Sequence, residues 1–346
     1  MKTQPSQMMR PTEASLVRSG TKSFWLWTPA RQWLWALIAA AMILVMPPYV
    51  SFAKDPKTPA KSDKQKPGKP IVLPKSDQVL AALRKTAESE PTIIRGKIEK
   101  GLTLKGLVVI AKDAELLNDT IELTPSSGAI VVNNAEAVYY KPARISGIPF
   151  VSISTNPKAA QKSHFYTTSQ YWGTPYENCI FQGNFYLESG CSPDFNNCLF
   201  IGSSLPGCNG LRAGNAEPVK GKYVNCLFQG FTFTNLSHVA MTLNIAENCG
   251  FKDIKIAKPP PAEVSLWGGT KQSPFYDLDG TLAAPLSQLK YKNEPAPKFP
   301  AIAKPEKNSL PYADKAAEII GVLDEIAQKH QDVNPNIKPA KPEAGQ

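Results

Sequence analysis

The sequence predicts an all-β chain, a stack of short strands in which each copy of a repeated phrase is one rung. Three observations point there. A phrase built on Asn-Cys-x-Phe occurs four times, with Cys-to-Cys steps of 198−179 = 19, 226−198 = 28 and 249−226 = 23 residues. Short β-branched runs broken by Gly, Asn or Asp fill the chain from about residue 93. No helical segment of length intervenes before about residue 312. A repeat of roughly 23 residues is one supersecondary unit, which buries its apolar face only by stacking on copies of itself.

The copies begin at Glu177-Asn178-Cys179-Ile180-Phe181, Asn196-Asn197-Cys198-Leu199-Phe200, Val224-Asn225-Cys226-Leu227-Phe228 and Glu247-Asn248-Cys249-Gly250-Phe251. Side chains alternate across a strand. The Cys and Phe of each copy therefore share one face, and that apolar face is expected to point inward. Asn178, Asn197, Asn225 and Asn248 fall where the chain turns. Asparagine tolerates the left-handed conformation, and its amide can pair with the same residue one rung away. In the last copy Gly250 replaces Ile/Leu and Asp253 replaces Gly, a drift that suits a rung near the end of the stack. The 28-residue step holds an insertion near Ser203–Lys222, expected as an outside loop.

On these motifs the chain resembles the right-handed parallel β-helix proteins, the pectin-lyase-like superfold. The resemblance rests on residues 178–183, 197–202 and 225–230, with a weaker copy at 248–253, and covers about 90–285 if the earlier strands belong to the same stack. It implies a single-stranded right-handed parallel β-helix. A short amphipathic helix at 77–88, capped by Ser76, is expected to cover the first rung, whose edge and interior are otherwise open. A second amphipathic helix at 312–330 could fold back as a C-terminal cap or serve as a contact for a protein partner. The β-helix domain is placed at 76–285, between Lys/Pro-rich linkers at 54–75 and 286–310, with a disordered tail at 331–346.

Charge is unevenly placed. Residues 1–70 carry 11 Lys/Arg against 3 Asp/Glu, residues 71–310 carry 24 against 20, and residues 311–346 carry 4 against 6. The predicted body is thus close to neutral and lacks the basic cluster that a nucleic-acid surface needs. Residues 1–53 read as a signal. A basic n-region precedes the apolar run Trp33–Met46, then Pro47-Pro48 and the small-x-small site Ser51-Phe52-Ala53. Cleavage after Ala53 is the preferred reading; an uncleaved anchor over residues 33–53 is the rival. Either one exports residues 54–346 to the periplasm, the cell envelope or the medium.

Four of the six cysteines sit at one phase of the repeat and are expected to be reduced and buried. Cys191 and Cys208 are out of phase and follow turn-like residues, which makes them the disulfide candidates of an exported chain.

Enzymes of the resembled superfold use clustered acids, and no such motif is evident. Weak catalytic candidates are Glu188, Asp194, Arg212 and His238. Glu177 and Glu247 share a column, but about 14 Å separates them at the usual strand spacing, too far for a carboxylate pair, and both are expected as solvated turn residues. No metal site and no cofactor are expected, since the three histidines are not at ligand spacing. The aromatics are more suggestive. Tyr166, Trp172, Tyr176 and Tyr186 lie within a 23-residue stretch, 164–186, and rings with a polar tip make sugar platforms. The expectation is an exported, non-catalytic module that binds a polysaccharide or an envelope component. The alternatives are a polysaccharide lyase or hydrolase with an atypical site, and a structural scaffold.

Overall fold

The computed structural model describes residues 71–116, 121–136, 138, 140–157, 175–187, 194–213, 222–233, 246–257, 275–286, 290 and 310–331. The leader 1–53, most of the first linker, Tyr166, Trp172, Glu188, Cys191, His238 and the tail lie outside them.

Strands dominate, and every strand pairing is parallel. The long sheet has nine strands, in the order Thr92–Ile94, Leu107–Ile110, Ile130–Asn133, Phe150–Ser154, Cys179–Gln182, Leu199–Ile201, Leu227–Gln229, Cys249–Lys252 and Phe275–Asp277. A second sheet pairs Pro175–Glu177, Asp194–Asn196, Tyr223–Val224 and Ala246–Glu247. A third pairs Phe185–Leu187, Gly210–Ala213, Thr232–Phe233 and Lys255–Ile256. From Pro175 onward the chain visits second, long and third sheet in that fixed order, four times.

Each corner from second to long sheet turns at an asparagine. Asn178, Asn197, Asn225 and Asn248 all adopt left-handed φ, between 51° and 60°. The amide ladder forms at the last two copies, where Asn248 Nδ2 donates to Asn225 Oδ1 and Tyr276 Oη donates to Asn248 Oδ1 at 2.6 Å. At the first copy Asn178 Nδ2 donates to the carbonyls of Ile145 and Gly147, each at 2.8 Å.

The Cys and Phe of every copy point inward, into one apolar cluster. Phe181, Phe200, Phe228 and Phe251 stack in one file, with centroids 5.3, 4.8 and 4.9 Å apart. A second file, Tyr176, Phe195 and Tyr223, stacks beside it at 5.2 and 5.4 Å. Between the files the rings meet edge to face, as at Phe200–Tyr223 (5.5 Å, 87°). Ring quadrupoles favour such edge contacts over a face-to-face sandwich. The four cysteines form a third file, in register with Phe150 at one end and Phe275 at the other.

The outward residues of the long sheet are buried too. Ile180, Leu199 and Leu227 belong to a second apolar cluster with Val109, Val132, Val151 and Ile153. What covers them is the helix pair Ser76–Ala87 and Ala316–His330, through Val79, Leu80 and Leu83 of the first and Ile319, Leu323, Ile326 and Ala327 of the second. This corrects the expected end caps. Neither helix plugs the interior; both lie on the sheet's outer face. A sheet buried on both faces reads as near-continuous apolar runs, as in Leu107–Ile110 and Phe150–Ser154. Ser76 is not the cap expected of it. Its Oγ donates to Asp314 Oδ1, and Lys75 N–H bonds Gln78 Oε1 instead.

Two departures in the last repeat copy have tertiary causes. A Cβ on Gly250 would stand 2.3 Å from Leu310 Cδ1. Asp253 keeps a left-handed φ of 54°, and its N–H bonds Asp279 Oδ2 at 2.6 Å. Glycine is needed at the equivalent Gly183, where φ is 96° and a Cβ would stand 2.2 Å from Ser154 O. The last strand of the long sheet is Phe275–Asp277, which the sequence reading did not find. Buried Leu282 and the short helix Ala283–Leu286 follow it.

Candidate functional site

The three corners of each circuit differ in length. Second to long sheet takes one residue at Asn178 and at Asn248, and two at 197–198 and 225–226. Long to third takes two at 183–184, 230–231 and 253–254, and eight at 202–209. Third to second is joined by 188–193, 214–222 and 234–245, and the chain leaves the third sheet for the last time after Ile256. Connections of six, nine and twelve residues thus leave the third sheet at this corner, and 202–209 is the one long connection among these circuits at another corner. The insertion expected over 203–222 is divided: 202–209 is one corner, Gly210–Ala213 is a strand of the third sheet, and 214–222 leads to the second. Ser203, Leu205 and Cys208 are buried rather than looped out.

The register of the third sheet sets two alternating series of positions beside that corner. Phe233 is interior and Phe185, Leu211 and Ile256 align with it in register, so Tyr186 and Arg212, and Gly210, Thr232 and Lys255, take the alternate positions. Register makes Arg212 and Tyr186 direct neighbours on adjacent strands. Glu188 follows that strand by one residue, and His238 falls in a connection leaving the same corner. Topology therefore brings Tyr186 and Arg212 together on adjacent strands of one sheet, whereas Glu188 and His238 lie outside the described residues.

The remaining sequence candidates go elsewhere. Tyr176 is fully buried in the second ring file, so it is core and not a sugar platform. Its Oη donates to Tyr140 O, and burial raises its pKa well above the ordinary tyrosine value. Asp194 opens an internal strand of the second sheet. Burial raises its pKa, opposed by the N–H and the charge of Lys222, with Lys222 N donating to Oδ1 at 3.1 Å. In register its neighbour is Pro175, not a second acid. Glu177, expected as a solvated turn residue, is buried and held by Arg144 Nε at 2.6 Å. Glu177, Asn196, Val224 and Glu247 do form one row, with two residues between the acids. Neither Asp194 nor the Glu177–Glu247 row thus sets two carboxylates on adjacent strands. Among the described residues no group of three His, Cys, Asp or Glu could hold a metal ion.

The thiols are structural. Cys179, Cys198, Cys226 and Cys249 are free and fully buried. Their Sγ atoms donate to carbonyls of the second sheet, as Cys226 does to Phe195 O and Val224 O at 3.4 Å. Burial raises the pKa of Cys179 and Cys226 well above the ordinary thiol value. Burial pulls Cys198 the same way, opposed by hydrogen bonds from those two thiols. A thiolate enclosed by rings costs more than such contacts return, so the file is neutral. Cys208 is a free thiol rather than half of a bridge. It packs as a small hydrophobe in the cluster under the C-terminal helix, and burial pushes its pKa up to about 11.

Sequence reading missed the second ring file, although its signal is plain in retrospect: an aromatic three residues before Cys179, Cys198 and Cys226. It also left the apolar stripe of the C-terminal helix open to a partner, whereas Ile319, Leu323 and Ala327 are buried within the chain. Among the described residues no helix is long and apolar enough to cross a membrane. Comparison with protein-family models, with curated proteins and with solved structures finds no match.

Proposed function

We propose that the chain is an exported, non-catalytic right-handed parallel β-helix module that binds a polysaccharide or cell-envelope component. Its binding surface is the third sheet, with the connections that leave it for the second. The observation that carries this reading is the clustering of three long connections at one corner. In stacked architectures insertions collect on one face, often the binding face. Tyr186 and Arg212, paired in register on adjacent strands, bring a ring and a hydrogen-bonding group to this sheet. The outer face of the long sheet is taken by the chain's own helices, which leaves the other sheets for ligands. Export rests on residues 1–53, and any membrane attachment runs through that segment alone.

Retention of the full chain on insoluble glycans tests the reading. Binding that is lost in Tyr186→Ala or Trp172→Ala, with the thermal midpoint unchanged, supports it; absence of retention on every glycan overturns it. One observation favours a lyase or hydrolase instead, the raised carboxyl of Asp194. Release of reducing or unsaturated ends, abolished in Asp194→Asn, would decide for that alternative.

A further inference from the structure

Leu310 to Gln331 form a strap across the outer face of the long sheet. It is entered through a strained residue. Tyr312 adopts φ +58°, a left-handed conformation unusual for a bulky aromatic, and its Oη donates to Asn178 Oδ1. The middle is clamped by Asp324. Its carboxylate accepts from Gln182 Nε2 at 2.7 Å, Ser203 Oγ at 3.1 Å and Ser204 N at 3.1 Å. Asp77 and Arg84 of the N-terminal helix face Lys315 and Glu318 on the strap's first turns, at 3.6 and 4.0 Å. At the far end His330 is 7 % exposed, and its carbonyl accepts from Asn134 Nδ2 at 3.0 Å. Its Nε2 is shielded from solvent, and no described group bonds to it.

The neighbours of His330 offer a proton no compensation. The contact from the end of the strand Ile130–Asn133 is that of the neutral Asn134 with the His330 carbonyl, and the charged group acting on the ring from its own helix is Lys329. The other charged groups bonded across this interface are Asp77 and Arg84 on the N-terminal helix and Asp314, Lys315, Glu318 and Asp324 on the strap, the last four at least six residues before His330. Both ring nitrogens of an imidazolium are donors. Protonation therefore places an N–H at Nε2 with nothing to accept it, at the cost of a buried unpaired donor. A helix C-terminus favours a cation, but burial and Lys329 outweigh that and hold the imidazole below its ordinary value.

We propose that the strap is an acid-released cover: protonation of His330 frees its C-terminal end and opens the apolar face that Val132, Val151, Ile153 and Ile180 present. The docked strap favours the neutral ring. Docking is therefore fully stabilised above the ordinary histidine value, about 6.5, and weakens as the pH falls from there toward the lower docked value. Strain at Tyr312 acts in the same direction, since release lets that residue return to a right-handed or extended conformation.

Hydrogen exchange of the full chain at pH 7.5 and 5.5, corrected for intrinsic rates, tests this. The opening constant of amides in 316–330 should rise, by up to about tenfold because pH 5.5 lies about one unit below the ordinary histidine value, while amides of Cys179–Gln182 and Leu199–Ile201 hold. In His330→Gln the strap should stay docked at pH 7.5 and lose most of that response. An NMR titration of His330 in the unmutated chain guards against a variant that misfolds: it should protonate below the ordinary value, in step with strap opening. An opening constant independent of pH, or an equal response in His330→Gln, overturns the proposal.

Discussion

Leu310 occupies the space that a side chain at residue 250 would need: its Cδ1 lies 2.3 Å from where a Gly250 Cβ would be. The other copies of the phrase hold Ile180, Leu199 and Leu227 at that position, each packed under the helices. The fourth copy gives up its own side chain and receives one from the strap. Gly250→Ala should cost about 1 kcal/mol, because the tip of Leu310 can shift. Gly250→Leu, which restores the repeat, should cost about 1–3 kcal/mol by overpacking. Denaturant midpoints measure both. Equal stability in Gly250→Leu would mean that Leu310 does not seat there.

Asn178 makes its corner by two separable means, backbone conformation and amide bonding. Asn178→Gly keeps the left-handed φ and loses the bonds to Ile145 O, Gly147 O and Tyr312. Asn178→Ala loses both, and the added strain is about 1–2 kcal/mol. Alanine should therefore be the worse replacement by about that amount in equilibrium unfolding. The reverse order would refute a conformational role for the corner.

The ring files predict graded losses. Phe200 contacts Phe181 and Phe228 in its own file and Phe195 and Tyr223 in the next. Phe200→Ala should cost about 3–5 kcal/mol. Phe200→Leu should lose less, since it retains most of the volume but not the ring contacts, worth about 0.5–1.5 kcal/mol per pair. Chemical denaturation of the pair of variants measures the difference, and a Leu variant as unstable as the Ala variant would count against the files as a source of stability.

The thiol file should be silent in the native state. Cys179, Cys198, Cys226 and Cys249 are shielded, and burial keeps Cys179 and Cys226 protonated well past the ordinary range. A colorimetric thiol reagent at pH 8 should therefore label these four only as the chain unfolds, at the unfolding rate. Prompt reaction of any of them in the folded protein, located by mass spectrometry of the labelled peptides, would show that the interior is wet.

Much of the architecture was legible because it rests on local pattern. Alternation placed Cys179/Phe181 and their copies inward, and the left-handed tolerance of asparagine placed Asn178, Asn197, Asn225 and Asn248 at corners. The candidate site was legible only in part. Tyr176 looks like a platform residue in sequence, yet the same spacing that puts Phe195 and Tyr223 three residues before a cysteine sends all three rings inward. Glu177 looks solvated until Arg144, 33 residues earlier, is seen beside it.

What the sequence by itself determined is the repeating unit: strand, asparagine corner, strand, with thiol and phenyl groups in files. Periodicity and φ preference are properties of neighbouring residues, so they can be read without coordinates. Where the two helices lie, why the last copy carries Gly250, and which long connections meet at one corner were decided by tertiary structure alone. Several of those features depend on contacts between residues far apart in the chain, such as Gly250 with Leu310 and Ser76 with Asp314, which no local pattern records. An amphipathic stripe states that it needs an apolar surface, and only the folded chain states that the surface is the back of its own sheet.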